Sequence, residues 1–153
     1  MLDLYAGSGA LGIESLSRGA AAAVFVERAA AVIAMLRVNL ESLGLDDAAE
    51  VVRADATAAV RRLARAGRRF DLVLLDPPYR EAREAVRALR ALATSGILAA
   101  GALVVAETSR RPGLPAIEGL ERLDERRYGD TVVHRWTRQH PAGPRTTGGA
   151  QET

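Results

Sequence analysis

The stretch Leu2-Asp3-Leu4-Tyr5-Ala6-Gly7-Ser8-Gly9-Ala10-Leu11-Gly12 decides the fold class. Met1–Tyr5 reads as a short buried strand that runs into Ala6-Gly7-Ser8-Gly9, and a helix should follow. Gly7, Gly9 and Gly12 form G-x-G-x-x-G at that junction. Glycines there permit a tight turn and let backbone come close to a ligand at a helix N-terminus. A strand, a glycine turn and a helix in that order begin an α/β unit.

Working outward, the helix should stop near Gly19, a natural C-terminal cap. Ala23–Val26 reads as a second strand ending at Glu27. The next helix places Val32, Ile33, Leu36, Leu40 and Leu43 on one face and ends at Gly44. Val51–Arg53 is a short third strand before Asp55, and a helix through Val60 and Leu63 ends around Gly67. Phe70–Leu75 is the clearest buried strand and leads into Asp76-Pro77-Pro78-Tyr79. A helix over roughly Glu81–Ala93 and a strand at Ala102–Ala106 follow. Such alternation predicts a parallel sheet with helices on both faces. The pattern then changes. Leu120–Arg127 and Thr131–Trp136 meet at Tyr128-Gly129-Asp130 with no room for a helix, so they should form a C-terminal antiparallel hairpin. One domain is expected over residues 1–137, with 138–153 a flexible tail rich in Pro and Gly.

Composition narrows the chemistry. The chain has 153 residues, 48% of them hydrophobic, which suits a single domain with a sizeable core. It has no cysteine, so disulfides and cysteine-bound zinc are excluded. No apolar run is long enough for a bilayer, and a cytoplasmic location is expected. His134 and His140 are too few and too near the C-terminus to suggest a metal centre, so no metal is expected. All of the basic side chains are arginine, and the net charge is +2. Arginine forks suit phosphate, although such a bias also follows from base composition of the coding DNA.

The glycine motif alone fits a nicotinamide or flavin dinucleotide as well as S-adenosylmethionine. Asp3 tilts the choice. A carboxylate inside a buried strand is costly unless paired, and the amino group of a methionine moiety is a suitable partner. Glu27, ending an apolar strand at the ligand edge, can take both ribose hydroxyls. Asp55 can accept from an adenine amine or simply cap the helix that begins near Thr57. The expected cofactor-binding residues are therefore Asp3, Ala6, Gly7, Ser8, Gly9, Glu27 and Asp55.

Asp76-Pro77-Pro78-Tyr79 is the most specific feature of the chain. Two prolines stiffen the loop and turn carbonyls outward. A carboxylate beside such carbonyls gives paired acceptors for one NH₂ group, and Tyr79 adds a face on which an extruded base can stack. Methyl transfer from a sulfonium depends mainly on alignment of the amine, which Asp76 would hold. Methylation at pyrimidine carbon 5 needs a cysteine nucleophile, which is absent. Asp76, Pro77, Pro78 and Tyr79 are the expected catalytic residues, for methylation of an exocyclic base amine.

The run Leu2-Asp3-Leu4-Tyr5-Ala6-Gly7-Ser8-Gly9-Ala10-Leu11-Gly12-Ile13-Glu14, with Ser17-Arg18-Gly19-Ala20, closely resembles the RsmD-type 16S rRNA guanine-N2 methyltransferases. So do Val26-Glu27, Asp71-Leu72-Val73 before Asp76-Pro77-Pro78-Tyr79, and Arg127-Tyr128-Gly129-Asp130-Thr131. The resemblance implies a class I methyltransferase fold, S-adenosylmethionine as cofactor, and 16S rRNA or the small ribosomal subunit as partner. Members of that family carry a basic segment before the first strand, whereas this chain starts within the strand. A DNA amino-methyltransferase would need a target-recognition insertion, and no stretch is long enough to be one. A dinucleotide-dependent oxidoreductase would leave Asp76–Tyr79 without purpose, and a binding remnant without activity is a further alternative. Topology places Arg80, Arg83, Arg110 and Arg111 at the carboxyl edge of the strands, joined by Arg126 and Arg127 if the sixth strand runs parallel to its neighbours. Arg65, Arg68 and Arg69 fall at the opposite edge. Tyr79, Arg80, Arg110 and Arg111 are the expected RNA contacts, and the chain is expected to be a monomer.

Overall fold

The structure is a computed structural model that describes residues 1–78, 82–110 and 113–139. Strands β1 (Leu2–Leu4), β2 (Ala23–Glu27), β3 (Ala49–Arg53), β4 (Phe70–Leu75), β5 (Leu98–Ser109), β6 (Leu120–Tyr128) and β7 (Thr131–Arg138) form one sheet in the order β3-β2-β1-β4-β5-β7-β6. The first five pair in parallel, and β7 runs antiparallel to both β5 and β6. Helices α1 (Ala10–Ser17) and α2 (Ala30–Ser42) pack their Leu16, Leu36 and Leu40 with Phe25 on one face. Helices α3 (Ala56–Arg65) and α4 (Ala82–Ser95) bury Val60, Leu63, Leu89 and Leu92 on the other. The expected parallel sheet between helical layers, closed by an antiparallel hairpin, is present. No helix among the described residues is long and apolar enough to cross a membrane.

Local chemistry explains the boundaries. Parallel strands covered on both faces need apolar runs, which Leu72–Leu75 supplies in β4. Gly19, Gly44 and Gly67 all take positive φ just after α1, α2 and α3, relieving the last helical carbonyls. Several details depart from expectation. β1 ends at Leu4, because Tyr5 turns into the left-handed region at φ 65°. Leu43 lies beyond the last turn of α2 and is exposed, and Val32 is only half-buried. β5 begins at Leu98, pairing with Phe70 before an irregularity restores register at Leu103. β7 extends through Arg138, and the Gln139 N–H donates to the Gly119 carbonyl. A 3-10 turn at Asp46–Ala48 precedes β3.

Trp136, 1% exposed, anchors the hairpin to the core formed with α3 and α4, and stacks on His134. Between β5 and β6 the chain forms no helix in its described part. Leu114 and Ile117 instead drop into the core, and Arg122 ties the segment down by donating to the Leu114 carbonyl. β6 points the same way as β1 to β5 but is separated from them by β7. Its turn at Gly129 therefore reaches the carboxyl edge, where the Arg110 N–H donates to the Asp130 carbonyl at 2.9 Å.

Candidate active site

A cavity of about 400 Å³ opens at the carboxyl ends of β1, β2 and β4. It brings together Asp3, Ala6, Gly7, Ser8, Glu27 and Asp55 from the first half of the chain with Asp76, Pro77 and Pro78 from the second. Gly9 is not on its wall. With φ 88°, Gly9 is the N-cap of α1 and shapes the turn from behind. Tyr79, Arg80 and Arg111 lie outside the described residues.

The glycine turn is built for close approach. Gly7 and Gly9 both have positive φ, and the Gly9 N–H donates to the Ala6 carbonyl at 2.8 Å. Gly12 sits in the first turn of α1 and allows that helix to lie on the sheet. A Cβ there would stand 2.8 Å from Phe25 Cζ and 2.9 Å from Asp3 Oδ2. Tyr5 is strained at φ 65°, a cost of roughly 1–2 kcal/mol for a side chain of this size. It is held there by its hydroxyl, which donates to the Glu84 carbonyl, and by Ala6 N–H bonding to Val26. Tyr5 and Glu84 line the cavity, and reading the sequence missed both. The apolar context of Tyr5 looked like one more strand residue.

Asp3 is 1% exposed. Its Oδ2 accepts from the Gly12 N–H at 3.0 Å, which ties β1 to α1. Burial outweighs that bond, and with repulsion from Asp76 and Glu27 it pushes the Asp3 pKa up to about 7. Between the ordinary value of 3.8 and about 7 the folded chain keeps a proton that the unfolded chain has lost. Stability contributed by Asp3 is thus full at low pH and falls as pH rises through 7. Asp3→Asn keeps an acceptor for Gly12 and removes the charge. The variant should exceed the wild type in stability at pH 8 by a few kcal/mol, on the order set by a shift of this size, with the gap closing near pH 4. Urea unfolding at both pH values checks this, and a gap independent of pH would refute it.

Glu27 ends β2, and its carboxylate accepts from three backbone N–H groups while keeping acceptor capacity to spare. Oε2 accepts from Gly7 N–H at 3.1 Å, and Oε1 from Arg28 and Ala29 N–H at 2.8 and 2.9 Å. These bonds hold the glycine turn against the start of α2. Asp55 is the N-cap of α3, its Oδ1 accepting from Thr57 and Ala58 N–H at 3.0 and 3.2 Å. It lies on the cavity wall as well, so capping orients the carboxylate toward the site.

Asp76 follows β4 directly and is open to the cavity. Lost hydration, and then the Glu107 carboxylate, raise its pKa above the usual carboxylate range. Pro77 is buried beside it and fixes the direction of the loop. Five acidic residues, Asp3, Glu27, Asp55, Asp76 and Glu84, thus line one cavity beside the glycine turn that precedes α1. The arrangement can hold a cationic ligand by one end and present N–H acceptors at the other.

A family model described as conserved hypothetical protein 95 matches residues 1–137. The chain belongs to that family. It is 40% identical over 134 residues to the Bacillus subtilis protein named Putative rRNA methyltransferase YlbH, covering 86% of this chain and 72% of that one. It is 34% identical over 142 residues to ribosomal RNA small subunit methyltransferase D of Escherichia coli K12, covering 93% and 69%. A solved structure described as a conserved hypothetical protein from Streptococcus pyogenes superposes with a TM-score of 0.80 and 37% identity, over 90% of this chain and 84% of that one. These relatives make the RsmD-type resemblance a family membership, and the sheet order is that of class I methyltransferases.

Proposed function

We propose that the chain transfers a methyl group from S-adenosylmethionine to the exocyclic N2 amine of a guanine in small-subunit (16S) rRNA. The observation that carries this reading is the presence of Asp76-Pro77-Pro78 on the wall of the same cavity as Asp3, Gly7, Glu27 and Asp55. A volume of about 400 Å³ falls within the range of roughly 300–1,000 Å³ typical of small-molecule sites. The donor set fits the cofactor. Asp3 is a buried carboxylate whose raised pKa marks the want of a cationic partner, and an amino group supplies one. Glu27 and Asp55 offer acceptors to ribose hydroxyls and an adenine amine.

When bound, S-adenosylmethionine supplies an electrophilic methyl group on a sulfonium. The chain's own residues prepare the amine that receives it. Asp76 and the carbonyls of the proline loop accept the two N2 hydrogens, and this aims the nitrogen lone pair and excludes water from it. As positive charge grows on nitrogen, Asp76 gains more than it does in the ground state. The proton then leaves the nitrogen toward Asp76 or solvent.

The test is to incubate the chain with unmodified small subunits and S-adenosylmethionine, then digest the RNA and identify methylated nucleosides by mass. N2-methylguanosine is expected, and calorimetry should show S-adenosylmethionine binding far more tightly than NAD. A methylated adenine or cytosine amine would replace the substrate, and preferential NAD binding would overturn the reading.

The RNA face follows from the same edge of the sheet. Arg110 is exposed beside the hairpin turn, just past the carboxyl end of β5. Arg68 and Arg69 precede β4 at the other edge, where Arg68 pairs with Glu50 at 2.8 Å and Arg69 donates to the Gly96 carbonyl. Arg110→Gln should weaken RNA binding and flatten its salt dependence by about one unit. Arg68→Gln and Arg69→Gln should change neither. Filter binding across a salt series reads both, and the reverse ranking would move the RNA face to the opposite edge.

A further inference from the structure

Glu107 stands one strand away from Asp76. In the register of β4 and β5, Leu74 faces Val105 and Leu75 faces Ala106, so Asp76, the first residue past β4, comes beside Glu107 of β5. Neighbouring strands lie ~4.8 Å apart, which puts two carboxylates side by side at the carboxyl edge. Side chains alternate along β5. Val104, Ala106 and Thr108 are buried toward α3 and α4, while Val105, Glu107 and Ser109 are half-buried on the other face. Asp3 pairs with Leu74 in β1, so its carboxylate shares the face of Val105 and Glu107. The field of Glu107 on Asp76 agrees with that closeness.

We propose that Glu107 accepts the N1–H of the target base and thereby selects guanine over purines that present an N1 lone pair. This inference rests on the guanine-N2 reading above. On guanine the N1–H and the N2 amine are adjacent donors on one edge of the ring. Asp76 and the proline carbonyls take the amine, which leaves N1–H needing an acceptor beside it. Glu107 is the half-buried carboxylate that the register provides there. An adenine-type ring would turn a lone pair toward that carboxylate, and a buried acceptor facing an acceptor is rejected strongly. Discrimination then comes from repulsion as well as attraction.

The test uses the full chain, S-adenosylmethionine and small subunits rebuilt from ligated RNA. The guanine that the wild type methylates is either kept or replaced by 2-aminopurine, which retains the N2 amine but has an N1 lone pair. The wild type should prefer guanine strongly. Glu107→Gln should lose roughly 10- to 100-fold in kcat/KM on guanine, the loss of one charge-assisted hydrogen bond. Its amide can donate to the N1 of 2-aminopurine, so the preference should narrow at least as much. Glu107→Asp keeps an acceptor and should keep the preference at reduced rate. S-adenosylmethionine affinity should stay within about twofold in both variants. A guanine preference unchanged in Glu107→Gln would overturn the role of Glu107 while leaving guanine methylation intact. Failure of the wild type to form N2-methylguanosine would instead remove the underlying reading, and this inference with it.

Discussion

Asp76→Ala should lower kcat for methyl transfer by about 10²–10³-fold, with S-adenosylmethionine affinity nearly unchanged. The size follows from where the carboxylate acts. Asp76 directly follows β4 and makes none of the bonds of the glycine turn, so the cofactor keeps Asp3, Glu27 and Asp55. What disappears is an acceptor whose interaction with the amine strengthens as the nitrogen becomes positive, and such a loss appears in kcat. Asp76→Asn retains one acceptor oxygen and should fall between the wild type and alanine. The pH profile adds a second readout. The ionised carboxylate is the stronger acceptor for the amine, and burial together with Glu107 raises its pKa. The wild-type rate should climb with pH through a midpoint above the ordinary aspartate range, and that limb should vanish in Asp76→Asn. Single-turnover kinetics with small subunits would measure both. Loss of cofactor affinity equal to the loss of rate would place Asp76 in cofactor binding instead.

Gly12→Ala should destabilise the fold by roughly 2–3 kcal/mol and lower the melting temperature by roughly 5–10 °C. The new methyl group would have to share space with the ring of Phe25, which is fully buried, and with Asp3 Oδ2. Neither can retreat, because Phe25 is in the middle of β2 and Asp3 in the middle of β1. Helix α1 must therefore lift from the sheet. That motion breaks the Gly12 N–H bond to Asp3 and carries the glycine turn away from Glu27. Cofactor affinity should drop together with stability, which distinguishes this variant from a simple cavity or strain mutant. Gly113→Ala is the control, since a Cβ there meets nothing within 4 Å. Thermal unfolding and calorimetry on both variants would suffice. Equal melting temperatures for the two would show that Phe25 can yield.

Much of this architecture could be read in advance because its signals were local. Phe70–Leu75 was legible to the residue, since Phe70 and the apolar run Leu72–Leu75, broken only by Asp71, have few other uses. Glycines after α1, α2 and α3 announced their helix ends through the backbone angles that only they tolerate cheaply. The less legible parts depend on distant contacts. Ala99, Ala100 and Gly101 carry no strand signal, yet Leu98 pairs with Phe70 and draws them into β5. Leu114 and Ile117 gave no periodic pattern, and only the closed core reveals that they substitute for a helix. Of the expected site residues, Asp3, Gly7, Glu27, Asp55 and Asp76 converge on one cavity. Glu107 went unnoticed, although it follows the apolar run Ala102–Ala106 much as Glu27 follows Ala23–Val26. Its neighbour Asp76 is adjacent only through strand register, which a linear reading does not contain.

The outermost strand has a consequence for how the molecule behaves in a crowded solution. β6 carries Glu121, Arg122, Asp124, Glu125, Arg126 and Arg127, and nearly all of its residues are exposed on both faces. One margin of β6 pairs with β7, and among the described residues no strand pairs with the other. Such a margin would ordinarily recruit a strand from another molecule and begin a growing ribbon. Here any incoming strand meets both signs of charge at close intervals. Several of those charges are already committed to neighbours, as Arg135 is to Asp124 and Arg127 to Glu125. Adding a strand would strip water from these ions without supplying new partners, so the sheet ends where the chain ends it.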